Sequence, residues 1–207
     1  ALLNGFTVTA GYATSLTAVK IIVNSISVFG ARLGGGMYNG SSSPVIANCT
    51  FTGNSASFGA GMQNYSLSSP TITNCSFTNN LATGTGGGIS NSLSSSPTIT
   101  NCIFTDNSAN SGGGIYNASS SSPAVTNSLF SENTASTEGG GIDNAQSSPI
   151  INYCIFTKNT APVGAGIYNF NSSPLITNCG FTANTGNDGS GMYNASSSPS
   201  ITDCSFT

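Results

Sequence analysis

Charge is what this chain of 207 residues has least of: Asp, Glu, Lys and Arg together make up 4%, against roughly 25% in an ordinary globular domain. Histidine and tryptophan are absent, and Lys20, Arg32 and Lys158 are the only basic residues. Three cations cannot assemble the phosphate-neutralising patch on which nucleic-acid binding depends, and a net charge of −3 opposes it further. Nucleic acid is excluded as a partner on that ground. No run of about 18 apolar residues is available to span a bilayer. The most apolar window, 19–29, is short and broken by Asn24, Ser25 and Ser27. The N-terminus also lacks the charged start and apolar middle of a signal peptide, so we expect a mature product or an excised piece. The scarcity of charge does not read as disorder, because 37% of the residues are apolar and 26 glycines sit among abundant Ser, Thr and Asn. Such a composition predicts a polar but uncharged surface.

What is there is a repeat. The stretch 69–91 reads Ser-Pro-Thr-Ile-Thr-Asn-Cys-Ser-Phe-Thr-Asn-Asn, then a few small residues, then Gly-Gly-Gly-Ile-Ser-Asn, and it recurs along the chain. A period of 20–50 residues signals a solenoid or array. Pro44, Pro70, Pro97, Pro123, Pro149, Pro174 and Pro199 are spaced 26, 27, 26, 26, 25 and 25, with Pro162 outside the pattern. Two residues after each stands Ile or Val (Ile46 to Ile201), five after stands Cys or Ser128, and seven after stands Phe (Phe51 to Phe206). Ten after stands Asn, from Asn54 to Asn184. A Gly-x-Gly follows, then Met or Ile, one variable residue and another Asn, from Asn39 to Asn194.

Short runs of Ile, Thr and Phe between Gly, Asn, Ser and Pro are strand-and-turn chemistry, and no stretch carries a capped 3.6-residue apolar stripe. The pattern predicts an all-β parallel β-helix of about 8–9 coils, each of 25–27 residues, with like residues stacked roughly 4.8 Å apart. Ile, Cys, Phe and the Met or Ile after glycine should point inward. The offset of three between Ile and Cys breaks the two-residue alternation, so a bend must fall at the intervening Asn48, Asn74, Asn101, Asn127 or Asn178. Asparagine tolerates the left-handed backbone of such a bend, and these corner asparagines should hydrogen-bond up and down their column. We divide the chain into 1–33, a degenerate first coil or N-terminal cap, and 34–207, the regular repeats. Within 14–33 the alternation Ile22, Asn24, Ile26, Val28 argues for strand. That stretch is either an extra coil or a projecting loop. The chain stops in mid-copy at Phe206-Thr207, so we expect a piece of a longer solenoid or head-to-tail self-association.

Candidate chemistry is sparse. Cysteines at one phase could form a disulfide framework, but parallel side chains one coil apart do not meet as a disulfide requires. The replacement by Ser128 favours small buried hydrophobes instead. One thiol per 25 to 27 residues, with no histidine, is not zinc-site spacing. Asp106, Glu132 and Lys158 share a phase in consecutive coils and should form an outward column, with Glu132–Lys158 an exposed ion pair. Asp106 and Glu132 are the best candidates for a converging carboxylate pair. Asp143 beside Glu138, and Asp188, could touch calcium, although solvated turn residues are the preferred account. The Asn-x-Ser/Thr triplets at Asn39, Asn48, Asn64, Asn74, Asn117, Asn171 and Asn194 match the glycosylation motif, and composition alone accounts for them. No catalytic, cofactor-binding or metal residue is assigned, and no cofactor is expected.

The paired signatures Gly-Gly-x-Ile and Phe-x-x-Asn stand at Gly87-Gly88-Ile89, Gly113-Gly114-Ile115 and Gly140-Gly141-Ile142, and from Phe51–Asn54 through Phe181–Asn184. They resemble the polymorphic outer membrane protein repeats of chlamydial-type autotransporters. The resemblance implies a right-handed parallel β-helix, exported to a cell surface or secreted and serving adhesion. We therefore expect a non-catalytic extracellular structural or adhesive solenoid with a cell-surface or glycan ligand. One alternative is a carbohydrate-active lyase or hydrolase, which would need paired carboxylates. A second is ice or crystal-surface binding through an outward column of Thr73, Thr100, Thr126, Thr177 and Thr202, interrupted by Ala47 and Asn152.

Overall fold

The computed structural model describes residues 2–9, 11–13, 21–22 and 33–207. The coils build four parallel sheets, here A to D in the order the chain visits them, with eight short strands in each of A, B and D and five in C. Sheet A begins with Leu2–Asn4 and Val45–Ala47, and sheet B with Thr7–Thr9 and Thr50–Thr52. Sheet C begins with Tyr12–Ala13 and Ser55–Phe58, and sheet D with Ile21–Ile22 and Met37–Gly40. Pairing is in register throughout sheets A and B: Ile72 lies between Ile46 and Ile99, and Phe77 between Phe51 and Phe104.

Sheets A and B hold eight rungs each, which bound about seven turns, fewer than the 8–9 coils expected. The shortfall lies at the start. Leu2 pairs directly with Val45 and Thr7 with Thr50, so no further rung of these sheets separates the first copy from the second. Ile21–Ile22 pairs with Met37–Tyr38 at the edge of sheet D. Asn24, Ile26 and Val28 lie outside the described residues.

The core is a set of stacked columns. Ile46, Ile72, Ile99, Val125, Ile151 and Ile176 are fully buried, as are Phe51 to Phe156 at their phase. The phenyl rings run parallel from Phe51 to Phe206, with centroids 4.8, 5.0, 4.8, 4.8, 4.9 and 4.6 Å apart. This stack explains the second glycine of the motif. A Cβ on Gly88 would fall 2.5 Å from Gly114 O and 2.9 Å from the Phe104 ring, so only glycine lets sheet D close over the phenyl column.

The predicted bend is made by left-handed residues, and so is a second one between sheets B and C. Asn48, Asn74, Asn101, Asn127, Tyr153, Asn178 and Asp203 turn the A–B corner with φ of 48–54°. Gly53, Asn79, Asp106, Glu132, Lys158 and Ala183 turn the B–C corner with φ of 53–63°. Left-handed backbone costs an L-residue roughly 1–2 kcal/mol, a cost offset by the bonds each corner makes to its neighbours. The A–B column bonds in its first rungs, Asn48 Nδ2 donating to Asn4 Oδ1 at 2.8 Å, Asn74 Nδ2 to Asn48 Oδ1 at 3.3 Å and Asn101 Nδ2 to Asn74 Oδ1 at 3.2 Å, all exposed, whereas Asn178 Nδ2 donates to Asn152 of sheet A instead.

The ladders that matter more are buried and lie elsewhere. From Asn39 to Asn194 each side-chain amide donates to the next at 2.8–2.9 Å. From Asn54 to Asn184 each amide does the same at 2.9–3.0 Å. In that second column the same Oδ1 also accepts a backbone N–H, and the Nδ2 reaches a Phe carbonyl one coil back. Buried amides are tolerable because the nitrogen of each donates to the oxygen of the next, leaving Asn39 Oδ1 at the first rung without a donor among the described residues. Ser68, Ser95, Ser121 and Ser147 do likewise at the D–A corner, accepting the N–H of the serine one coil before.

Variation in repeat length is confined to two places. From each repeat proline to the asparagine ten later, through sheets A and B, the count never changes. Sheet C absorbs one extra residue at bulges within Leu81–Thr85 and Thr134–Glu138. The D–A corner absorbs the other by adding a second left-handed residue: Ser66–Leu67, Leu93–Ser94 and Ser119–Ser120 where the loop is long, Ser41, Gln146 or Asn171 alone where it is short. Sheet C ends as a continuous ladder at Thr134–Glu138. The next coil carries Pro162, which has no N–H to donate, and only the bridges at Thr160 and Val163 remain.

Candidate functional site

The exposed column came out as expected. Asp106, Glu132 and Lys158 lie on successive B–C corners, and Lys158 Nζ stands 3.7 Å from Glu132 Oε1 with both side chains exposed. This is a solvated ion pair on a convex edge, with nothing converging on it. Asp106 and Glu132 are therefore placed where they cannot enclose a substrate. Asp188 is exposed on its turn, as the preferred account has it.

Asp143 departs from that account. It is 2% exposed, and its Oδ1 has no hydrogen-bond partner among the described residues. The variable position before each ladder asparagine of sheet D places it in register between Tyr116 and Tyr168. Tyr193 continues the column, its ring parallel to that of Tyr168 with centroids 5.8 Å apart. Beside it runs the end of sheet C, where Ser111 Oγ lies 3.1 Å from Glu138 Oε1 and 2.8 Å from Thr137 Oγ1. Ser111, Tyr116, Glu138, Asp143, Ala145, Tyr168 and Phe170 together line a concavity of about 260 Å³ on the outer face of sheet D.

Electrostatics there follow from burial. Loss of water, then the Glu138 carboxylate, push Asp143 well above the usual carboxylate range. Burial, then Asp143 and Glu138, raise the Tyr116 phenol, and burial followed by the same two acids in reverse order raises Tyr168. Among the described residues no basic side chain lines the concavity. Chemically the site is a buried acid whose neutral form is favoured, a second carboxylate and aromatic walls.

The cysteines are free and five of the six are buried. They act as polar corner pieces rather than as plain hydrophobes. Cys75 Sγ accepts the Cys49 N–H at 3.4 Å and donates to Thr73 O at 3.3 Å. Ser128 makes the same two bonds, accepting from Cys102 N at 3.2 Å and donating to Thr126 O at 3.0 Å, which explains the exchange. The bond to a neighbouring thiol, then burial, push Cys102 and Cys154 above the ordinary thiol range, so their thiolates are scarce. Of the glycosylation triplets, Asn39, Asn64 and Asn117 are buried in the amide ladder, whereas Asn48, Asn74, Asn171 and Asn194 are exposed.

The threonine column chosen from the sequence is outward on sheet A but broken at Ala47 and Asn152. A more continuous one stands on sheet B. Thr9, Thr52, Thr78, Thr105, Ser131, Thr157 and Thr182 are neighbours in register, and Thr207 meets Thr182 with hydroxyls 3.1 Å apart. The Thr, or Ser131, after each Phe of the repeat was the available signal. Beside it, Ile103 and Ile155 are exposed aliphatic neighbours. Among the described residues no helix is long and apolar enough to cross a membrane.

The family model described as "Right handed beta helix region" matches residues 4–130 and 37–206, so the chain belongs to that family. No curated protein matches the chain, and no solved structure does.

Proposed function

We propose that this member of the right-handed β-helix family is a non-catalytic extracellular solenoid that adheres to an uncharged polysaccharide surface through sheets A and B. The observation that carries the reading is the unbroken hydroxyl column from Thr9 to Thr182, flanked by exposed Ile103 and Ile155. A flat array of hydroxyl and aliphatic groups, repeated every rung, matches a surface that is itself periodic, uncharged and amphipathic. Charge lies at the corners of this face rather than within it. Resemblance to chlamydial-type surface repeats supports export and adhesion in the same direction.

Catalysis is the weaker reading. A glycosidase needs two carboxylates flanking the scissile bond, whereas Asp106 and Glu132 stand on an exposed corner column where Glu132 pairs with Lys158. The test is co-sedimentation of the purified chain with insoluble cellulose and chitin, repeated after Thr105→Lys with Thr157→Lys. Retention that the double variant abolishes supports adhesion through this face. Release of soluble sugar, lost in Asp143→Asn, would replace it with an enzyme. The same column supports ice binding as a second reading, distinguished by partition of the chain into growing ice.

A further inference from the structure

We propose that the concavity around Asp143 binds an organic cation, a guanidinium or alkylammonium group, held between two tyrosines and two carboxylates. This stands on the geometry of one rung and does not depend on the adhesive reading. Along the outer face of sheet D the register runs Tyr116, Asp143, Tyr168, Tyr193. Tyr168 and Tyr193 stack with an interplanar angle of 7°. On the other side of Tyr168, where the next ring of such a column would lie, there is a short carboxylate, with Tyr116 on the rung beyond. The result is a slot one rung wide with an aromatic side chain on either side, Asp143 as floor and Glu138 and Phe170 at the lip.

Two features ask for positive charge there. Asp143 is buried with an Oδ1 that no donor reaches among the described residues, and Glu138 lies on the strand beside it with only Ser111 as hydroxyl partner. Aromatic walls favour a cation that is weakly hydrated and can lie over rings, which describes guanidinium and alkylammonium groups. A planar guanidinium also presents paired donors to carboxylates. Calcium fits less well, since it requires six to eight oxygens and no three acidic side chains gather to hold a metal among the described residues. Because burial raises the Asp143 carboxyl, uptake of a cation would favour its ionised form and loss of its proton. Affinity should accordingly rise with pH, and the titratable groups that face Asp143 in this exchange are Glu138, Tyr116 and Tyr168.

The experiment titrates the intact chain with methylguanidinium chloride and methylammonium chloride at constant ionic strength, following tyrosine ring resonances by NMR and proton release by calorimetry. Urea serves as the neutral isostere and calcium chloride as the metal control. Saturable binding of either organic cation, with shifts at Tyr116 and Tyr168 and a released proton, is expected. Asp143→Asn should weaken it by about tenfold or more, the scale of a charged hydrogen bond. Asp143→Tyr fills the slot with the residue found one rung away on both sides and should abolish binding while keeping the native circular dichroism. The proposal is overturned by no saturable binding to the parent chain, by urea binding equally, by calcium alone saturating the site, or by affinity unchanged in Asp143→Asn.

Discussion

Sheets A and B differ from the flank made by sheet C, sheet D and the D–A corner in a way that divides the labour of the molecule. Through A and B every copy has the same length, the same corners and the same inward Ile, Cys or Ser, and Phe. The flank holds the bulges, the doubled left-handed residues, the Pro162 interruption and the Asp143 concavity. Packing accounts for the contrast. Phenyl rings stacked at 4.6–5.0 Å allow no slip, because a one-residue insertion would turn every inward side chain of that coil outward. The flank instead packs alanines such as Ala82 and Ala109 against backbone, and small residues tolerate a bulge. Rigidity is concentrated on one side, and individual rungs are free to differ on the other.

Perturbations on the two sides should therefore differ in size. Phe104→Ala removes a fully buried ring from the middle of the stack and should cost about 3–5 kcal/mol, read as a shift in urea midpoint. Asn107→Ala interrupts the amide ladder, orphaning the Asn80 backbone N–H and the Phe77 carbonyl, and should cost about 2–3 kcal/mol. On the flank, Asp143→Asn should stabilise the fold at neutral pH and not in acid. Its carboxyl is raised in the folded state, so the unfolded chain binds fewer protons once pH exceeds the ordinary carboxylate value, and parent stability falls as pH rises through the raised value. Urea midpoints of parent and variant should coincide near pH 3 and diverge above it; the opposite trend would mean that Asp143 is ionised and paired. Cys102→Ser should cost less than about 1 kcal/mol, since Ser128 already satisfies the same N–H and carbonyl in the next coil. Smallest of all, Glu132→Gln should change stability by no more than about 0.5 kcal/mol, because the Lys158 pair is exposed.

Much of this architecture was legible from periodicity. The phases of Pro, Ile and Phe specify in-register stacking, and the odd offset between Ile72 and Cys75 requires the bend found at Asn74. Corner asparagines were the ones expected to form ladders, yet the buried ladders run through Asn54–Asn184 and Asn39–Asn194. An asparagine among glycines and serines reads as a turn residue, and only the closed coil shows that it points inward. Asp143 was harder still. Its burial comes from Tyr116 and Tyr168, which are 27 and 25 residues away and become neighbours only once the register of sheet D is known. Along the chain it looks like any acid near a glycine turn. The coil count came out high because the length before Gly34 suggested one more rung than the pairing of Leu2 with Val45 allows.

The division between the two sides can be tested with a pair of single-residue insertions in the same coil. A glycine added after Asn110 lengthens sheet C from the short form to the long form seen at Leu81–Thr85. A glycine added after Ile103 lengthens the segment that never varies. Comparing their urea midpoints, the account predicts a shift of about 1 kcal/mol or less for the first and loss of cooperative folding for the second. Equal destabilisation by the two insertions would contradict it.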